Sequence, residues 1–203
     1  MQITLATADQ RVADILARVR KAFIEKGFDG ASMQDLARSA GISVGNFYRY
    51  FPSKSAIIEQ LIACDLDEMQ AEFAELIKSD HPMDALRASI RHHIHLHQSN
   101  EDGQLWAEIN AVAMRKPEIG LATCHMEQVI SGYLVQVFAA ETGLPIAEAV
   151  QRFSTQAAFI VLLVQSAAMI APQNGLNIAD LTNLIIQTID KTLDDVASVG
   201  VKG

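Results

Sequence analysis

The chain has little of what builds a disulfide scaffold, a membrane span or a recognisable active site. Only Cys64 and Cys124 occur in 203 residues, too few and too scattered for a disulfide framework. The opening Met1-Gln-Ile-Thr-Leu-Ala lacks the basic start and apolar centre of a signal peptide, so the cytoplasm is the expected compartment. The most apolar stretch, unbroken from Ala157 to Val164 and resumed from Ala167 to Ala171, extends over about 15 residues where a membrane span needs ~20. No membrane partner is expected. No nucleophile elbow, phosphate loop, paired catalytic carboxylates or Ser-His-Asp spacing is present, so neither an enzyme nor a cofactor is expected. Strand-like alternation, internal repeats and low-complexity segments are missing as well.

What remains is helix. Half of the residues are hydrophobic and a fifth are charged, the balance of a folded globular protein. Apolar positions recur at three and four residues along the whole chain, which predicts an all-α fold. Val12, Ile15, Leu16, Val19, Ala22 and Phe23 define a first helix, from a capping box at Thr7 to Gln10 as far as Gly27. Ser53 opens a long one carrying Ile57, Ile58, Leu61, Ile62, Leu66, Met69, Phe73, Leu76 and Ile77. Some 25 residues at ~1.5 Å each make it a rod of roughly 40 Å. Further helices are expected near 83–99, 105–115, 118–142, 146–171 and 178–196, the last capped by Asn177 to Asp180. The net charge of -8 is unevenly spread: residues 1–60 hold 8 Lys+Arg against 6 Asp+Glu, and the remainder carries -10. That asymmetry turns the front of the molecule toward a polyanion.

The stretch from Ser32 to Lys54 organises the rest. Ser32 and Asp35 have the spacing of a capping box, Leu36 and Ala40 give the helix an apolar side, and Gly41 supplies the left-handed residue that ends it. Ser43 caps a second helix to about Tyr50, polar and aromatic where a core helix would be aliphatic. Only Val44 and Phe47 suit packing. Two helices around a tight glycine turn, the second bearing hydrogen-bonding side chains, have the helix-turn-helix layout whose second helix enters the major groove. The run Leu-Ala-Arg-Ser-Ala-Gly-Ile-Ser-Val-Gly-Asn-Phe-Tyr-Arg-Tyr-Phe-Pro-Ser-Lys closely resembles the DNA-binding signature of the TetR family of bacterial transcriptional repressors. Gly45, Tyr48, Tyr50, Phe51 and Lys54 are its specific part.

The resemblance implies DNA contacts at Ser32, Ser43, Gly45, Asn46, Tyr48, Tyr50 and Lys54. Ser32 and Ser43 stand at helix N-termini whose amides favour phosphate, Gly45 allows close backbone approach, and Lys54 is a point charge at the next helix start. Asn46 and Arg49 can read base edges, and Gln34 and Val44 complete the set. The tyrosines could instead pack against the support helix. Residues 1–52 then form the DNA-binding domain and 53–203 an effector-binding and dimerisation domain. A helix apolar all round needs cover on both sides, so homodimerisation is expected through residues 146–196, centred on 157–170 and 181–193, as a four-helix bundle. The partners are thus double-stranded operator DNA, a second copy and a small-molecule effector.

The resemblance implies an effector pocket in the second domain: Leu66, Met69, Phe73, Trp106, Met114, Met126, Ile130, Tyr133 and Phe159 are large or soft residues suited to its walls, with His93, His97, Asn110, Tyr133 and Gln156 as polar anchors. Most of them equally suit plain core. His92, His93, His95 and His97 invite a metal reading, but at ~100° per residue they separate into two pairs on opposite faces. His93 and His97 could hold two positions of a zinc site, completed by Cys64, Asp65, Cys124 or His125, yet no thiol pair or Glu-x-x-His spacing strengthens it. No metal is expected. The rival readings are a metal-responsive regulator using this helix and a helical interaction module without DNA binding.

Overall fold

The computed structural model describes residues 8–99, 102–170 and 177–200, and among these there are nine helices and no strand. They are α1 (Ala8–Gly30), α2 (Met33–Ala40), α3 (Val44–Tyr50), α4 (Lys54–Ile77), α5 (Pro82–Ser99), α6 (Asp102–Ala113), α7 (Pro117–Thr142), α8 (Ile146–Ala168) and α9 (Ile178–Gly200). The all-α expectation holds. The expected cap at Thr7 lies outside the described residues. Among the described residues no helix is long and apolar enough to cross a membrane.

Packing divides the chain into two units along a different line from the expected boundary at residue 52. The first unit contains the chain as far as Asp65 together with Gln104–Thr123, and the second contains Leu66–Gly103 and Cys124–Gly203. Thus α6 and the start of α7 belong with the helix-turn-helix. Proximity in sequence could not reveal this, because the contacts involved span some eighty residues.

The first unit is built around a buried set that includes Leu16, Val19, Phe23, Phe28, Leu36, Phe47, Ile57, Leu61, Leu105, Ile109 and Ile119. Helix α1 does not run straight through it. Gly27 has φ 68 and ψ 169, a region essentially reserved for glycine, and the helix breaks there before a last turn over Phe28 to Gly30. A Cβ on Gly27 would also lie 3.2 Å from Glu108 Oε1 of α6. The chain then passes through buried Ala31 into Ser32, the N-cap of α2.

The second unit packs α5, α7, α8, α9 and the last part of α4 around Phe73, Leu86, Ile94, Val137, Phe138, Phe153, Ile160 and Leu193. Phe138 and Phe153 meet edge-to-face with centroids 6.0 Å apart, joining α7 to α8. The amide Nε2 of Gln98 ties α5 to α8 and α9, donating to Ala167 O at 3.2 Å and Thr182 Oγ1 at 2.7 Å. Asn177 Oδ1 accepts from Ala179 N–H at 3.0 Å, the expected cap of α9.

Two helices stop short of their expected ends, and the last runs on to Gly200 rather than 196. Helix α6 stops at Ala113 rather than 115, and Met114 is left 88% exposed instead of facing a pocket. Pro117, whose ring cannot continue a helix but suits a first helical position, begins α7 directly afterwards. Helix α8 ends at Ala168, before the expected 171.

Candidate nucleic-acid interface

The turn between α2 and α3 is fixed by local chemistry. Asp35 N–H donates to Ser32 Oγ at 3.1 Å, and the Asp35 carboxylate takes back the Ser32 N–H at 3.1 Å and its hydroxyl at 2.5 Å. Lys26 Nζ lies 2.7 Å from the same carboxylate. The hydrogen bond from Lys26, then those from Ser32, hold Asp35 far below the usual carboxylate range. At the other end Gly41, at φ 72, returns its N–H to Ala37 and Arg38 carbonyls. Ser43 Oγ accepts from Asn46 N–H at 3.3 Å and starts α3.

One side of α3 anchors it. Phe47 is fully buried and packs on Phe51 with centroids 5.3 Å apart, while Tyr50 lies half-buried 6.3 Å from the same ring. The opposite side is open: Ser43, Val44, Gly45 and Arg49 are exposed, Tyr48 is 49% exposed, and Asn46 is half-exposed. A Cβ added at Gly45 would meet nothing within 4 Å. A helical glycine costs roughly 0.5–1 kcal/mol against alanine, and nothing in the fold requires this one. Space kept clear on an outward helix face suits an approaching duplex. Gln34 is exposed on α2.

Lys54 stands apart from the other expected contacts. Its Nζ donates to the Phe28 carbonyl at 2.5 Å, comes within 3.4 Å of the Asp29 carbonyl, and sits 4.7 Å from the centre of the Phe28 ring. The ammonium is committed to the end of α1. Only the long-range fold brings these groups together, so the lysine read as a free point charge in the sequence.

The expected effector residues fall into both units. Trp106, Asn110 and Met114 belong to the first. In the second, Phe73 and Ile130 are buried, and Leu66, Met69, Met126 and Tyr133 pack against the core. Phe73 and Tyr133 stack with centroids 5.2 Å apart. Phe159 is instead exposed on the outer face of α8. Gln156 continues the stripe of Ala149, Phe153 and Ile160 into the core, and its Oε1 is buried with no hydrogen-bond partner.

His93 reaches Glu72 of α4, Nε2 to Oε2 at 2.8 Å, and stacks on His97 at 6.1 Å. Ser89 donates to the other Glu72 oxygen at 2.5 Å. Burial raises the Glu72 pKa, but the Ser89 and His93 hydrogen bonds outweigh it and leave the carboxyl below its ordinary value. No local sequence pattern marks Glu72, because only the meeting of α4 and α5 gives it partners. Among the described residues no three His, Cys, Asp or Glu side chains gather into a group able to hold a metal ion.

Comparison with known proteins agrees with this geometry. A profile described as "Bacterial regulatory proteins, tetR family" matches residues 15–61, covering α2, α3 and their supports. The HTH-type transcriptional regulator UidR of Escherichia coli K12 is 33% identical over 123 residues. That match covers 60% of this chain and 61% of UidR, so the chain spans about three fifths of the curated relatives' length. Salmonella enterica GusR superposes with a TM-score of 0.74 at 22% identity, over 96% of this chain and 98% of its own. AibR, solved in complex with isovaleryl coenzyme A and operator DNA, superposes with a TM-score of 0.57 at 17% identity, over 88% of this chain and 97% of its own. At such identities the two structures speak for the fold alone.

Proposed function

The chain belongs to the TetR family of bacterial transcriptional regulators, and from that premise we propose that it is a ligand-responsive repressor that binds a pseudo-palindromic operator as a homodimer. The observation that carries this reading is the outward side of α3, where Ser43, Gly45, Tyr48 and Arg49 stand clear while Phe47 holds the helix down. Arg49 and Asn46 read base edges, and Tyr48 and the cap of α3 meet the backbone. A second copy covers the exposed apolar residues of the last two helices, Phe159, Leu162, Met169 and Leu184.

The effector is a small, mainly apolar molecule taken up in the second unit beside the Phe73 and Tyr133 rings. A hydrogen-bond donor on it satisfies Gln156 Oε1, since a buried acceptor left unpaired costs ~1–3 kcal/mol. AibR's complex with an acyl coenzyme A and operator DNA supports a regulator of this fold having both kinds of partner. Helix α4 runs without interruption from Lys54 to Ile77 and carries the signal. An effector shifts DNA affinity only by its differential affinity for two settings of the reader, worth about 1–3 kcal/mol or roughly 5- to 150-fold. Gel shifts against a library of genomic fragments test the reading. A preferred, two-fold symmetric site is expected, and the absence of any preferred fragment would refute it.

A further inference from the structure

Phe28 is held from three directions, and each contact comes from a residue outside the helix-turn-helix. Because Gly27 leaves helical geometry, the Phe28 N–H has no place in the ladder of α1. It donates instead to Glu108 Oε1 of α6 at 2.6 Å. The Phe28 carbonyl takes Lys54 Nζ of α4, and its ring stacks on Phe23 at 6.1 Å with Lys54 over its face. Arg115, just past α6, adds an ion pair to Asp29 at 3.0 Å.

Three residues separate Phe28 from Ser32, and the last of them, Ala31, is fully buried with its N–H on the Gly27 carbonyl at 3.1 Å. There is no slack in this connection. A displacement of Phe28 must reappear at the N-cap of α2, and through the Gly41 turn at α3. We infer that Glu108 and Lys54 are positioning residues for the DNA reader, setting the place of α2 and α3 by clamping the two backbone polar groups of Phe28. This rests on the DNA-binding reading above. It also reassigns Lys54 from phosphate contact to clamp, and gives α6 a direct hold on the reader.

The test compares the full-length protein with Glu108→Ala, Glu108→Asp and Glu108→Gln, measuring operator affinity by fluorescence anisotropy and exchange of the Phe28 amide proton by NMR. Alanine removes the acceptor and aspartate is one methylene too short. Both should release the amide, speeding its exchange, and weaken operator binding roughly 5- to 50-fold, the loss expected when a part-buried donor is orphaned. Glutamine keeps an oxygen at the same reach and should hold both readouts within about threefold of the parent. Aspartate serves should the alanine variant not fold. Unchanged affinity in a folded alanine or aspartate variant overturns the inference, as does lost affinity with the Phe28 amide still protected. A parent protein that binds no duplex overturns the DNA-binding reading instead.

Discussion

Arg87 of α5 grips Asp190 of α9 twice through one nitrogen, Nη1 donating to the backbone carbonyl at 3.0 Å and to Oδ1 at 3.2 Å. Its Nη2 takes Asp194 one turn further along, and the Arg87 side chain is only 16% exposed. The planar guanidinium suits this fork, which a point charge cannot copy. Arg87→Ala should destabilise the protein by about 1–3 kcal/mol, and Arg87→Lys should recover only part of it. Urea unfolding of the three proteins decides, and equal midpoints for all would show the fork to be idle.

Gly45→Ala separates fold from function. With nothing near the new methyl, the helix should be unharmed or gain up to ~1 kcal/mol. Operator affinity should nevertheless drop at least about tenfold, because a side chain then stands where the groove floor must come close. A stable variant that binds DNA as well as its parent would remove Gly45 from the interface.

Gly27→Ala should do the reverse, since the site is strained before DNA is considered. A φ of 68 with ψ 169 is closed to alanine at a cost of ~1–3 kcal/mol, and the methyl would press on Glu108. A large fall in the thermal midpoint is expected, and an unchanged midpoint would mean that the break in α1 is not needed.

Glu72 predicts a pH dependence. Its folded pKa lies below the ordinary 4.5, so its contribution to stability is fully present above that value and is lost as pH falls through the lowered one. Glu72→Gln should therefore weaken the protein near neutrality, and the gap between the two should close as pH falls below 4.5 and through the lowered folded value. A gap that stays constant with pH would assign the effect to packing alone.

The proposed dimer has a sharp test in Leu184 and Leu162, which are 58% and 57% exposed on the single chain. Glutamate at either site costs the isolated fold little but puts an unpaired charge into a mated apolar face. Sedimentation should show monomers for both variants, and unchanged dimers would move the interface elsewhere. Leu163, its neighbour, packs against the core of its own unit and would confuse folding with assembly.

The reader was legible from sequence because its chemistry is local. Ser32 with Asp35, Gly41 and Ser43 each act within four residues, and the spacing of such partners survives in a one-dimensional text. Lys54 looked the same in sequence but acts on Phe28, 26 positions earlier, and Glu108 acts on the same residue from 80 positions away. Neither bond has a periodic trace. The walls of the proposed pocket are harder to read for another reason: an inward Met and an outward Met occupy similar helical patterns, and the early end of α6 puts Met114 in solvent. Glu72 has no sequence signal because an acidic residue on a long helix reads as a solvated face until a second helix brings Ser89 and His93 to it.

The carboxylate of Asp35 means that α2 brings its own anion to its positive end, already balanced by Lys26. A DNA phosphate arriving there finds the Ser32 and Asp35 amides engaged and the nearest cation shared, so this end of the reader displaces few condensed counterions. Each phosphate truly neutralised contributes about 0.9 to the slope of log affinity against log salt. The reader should therefore hold its operator with a shallower ionic-strength dependence than its number of backbone contacts suggests, and Asp35→Asn should steepen it.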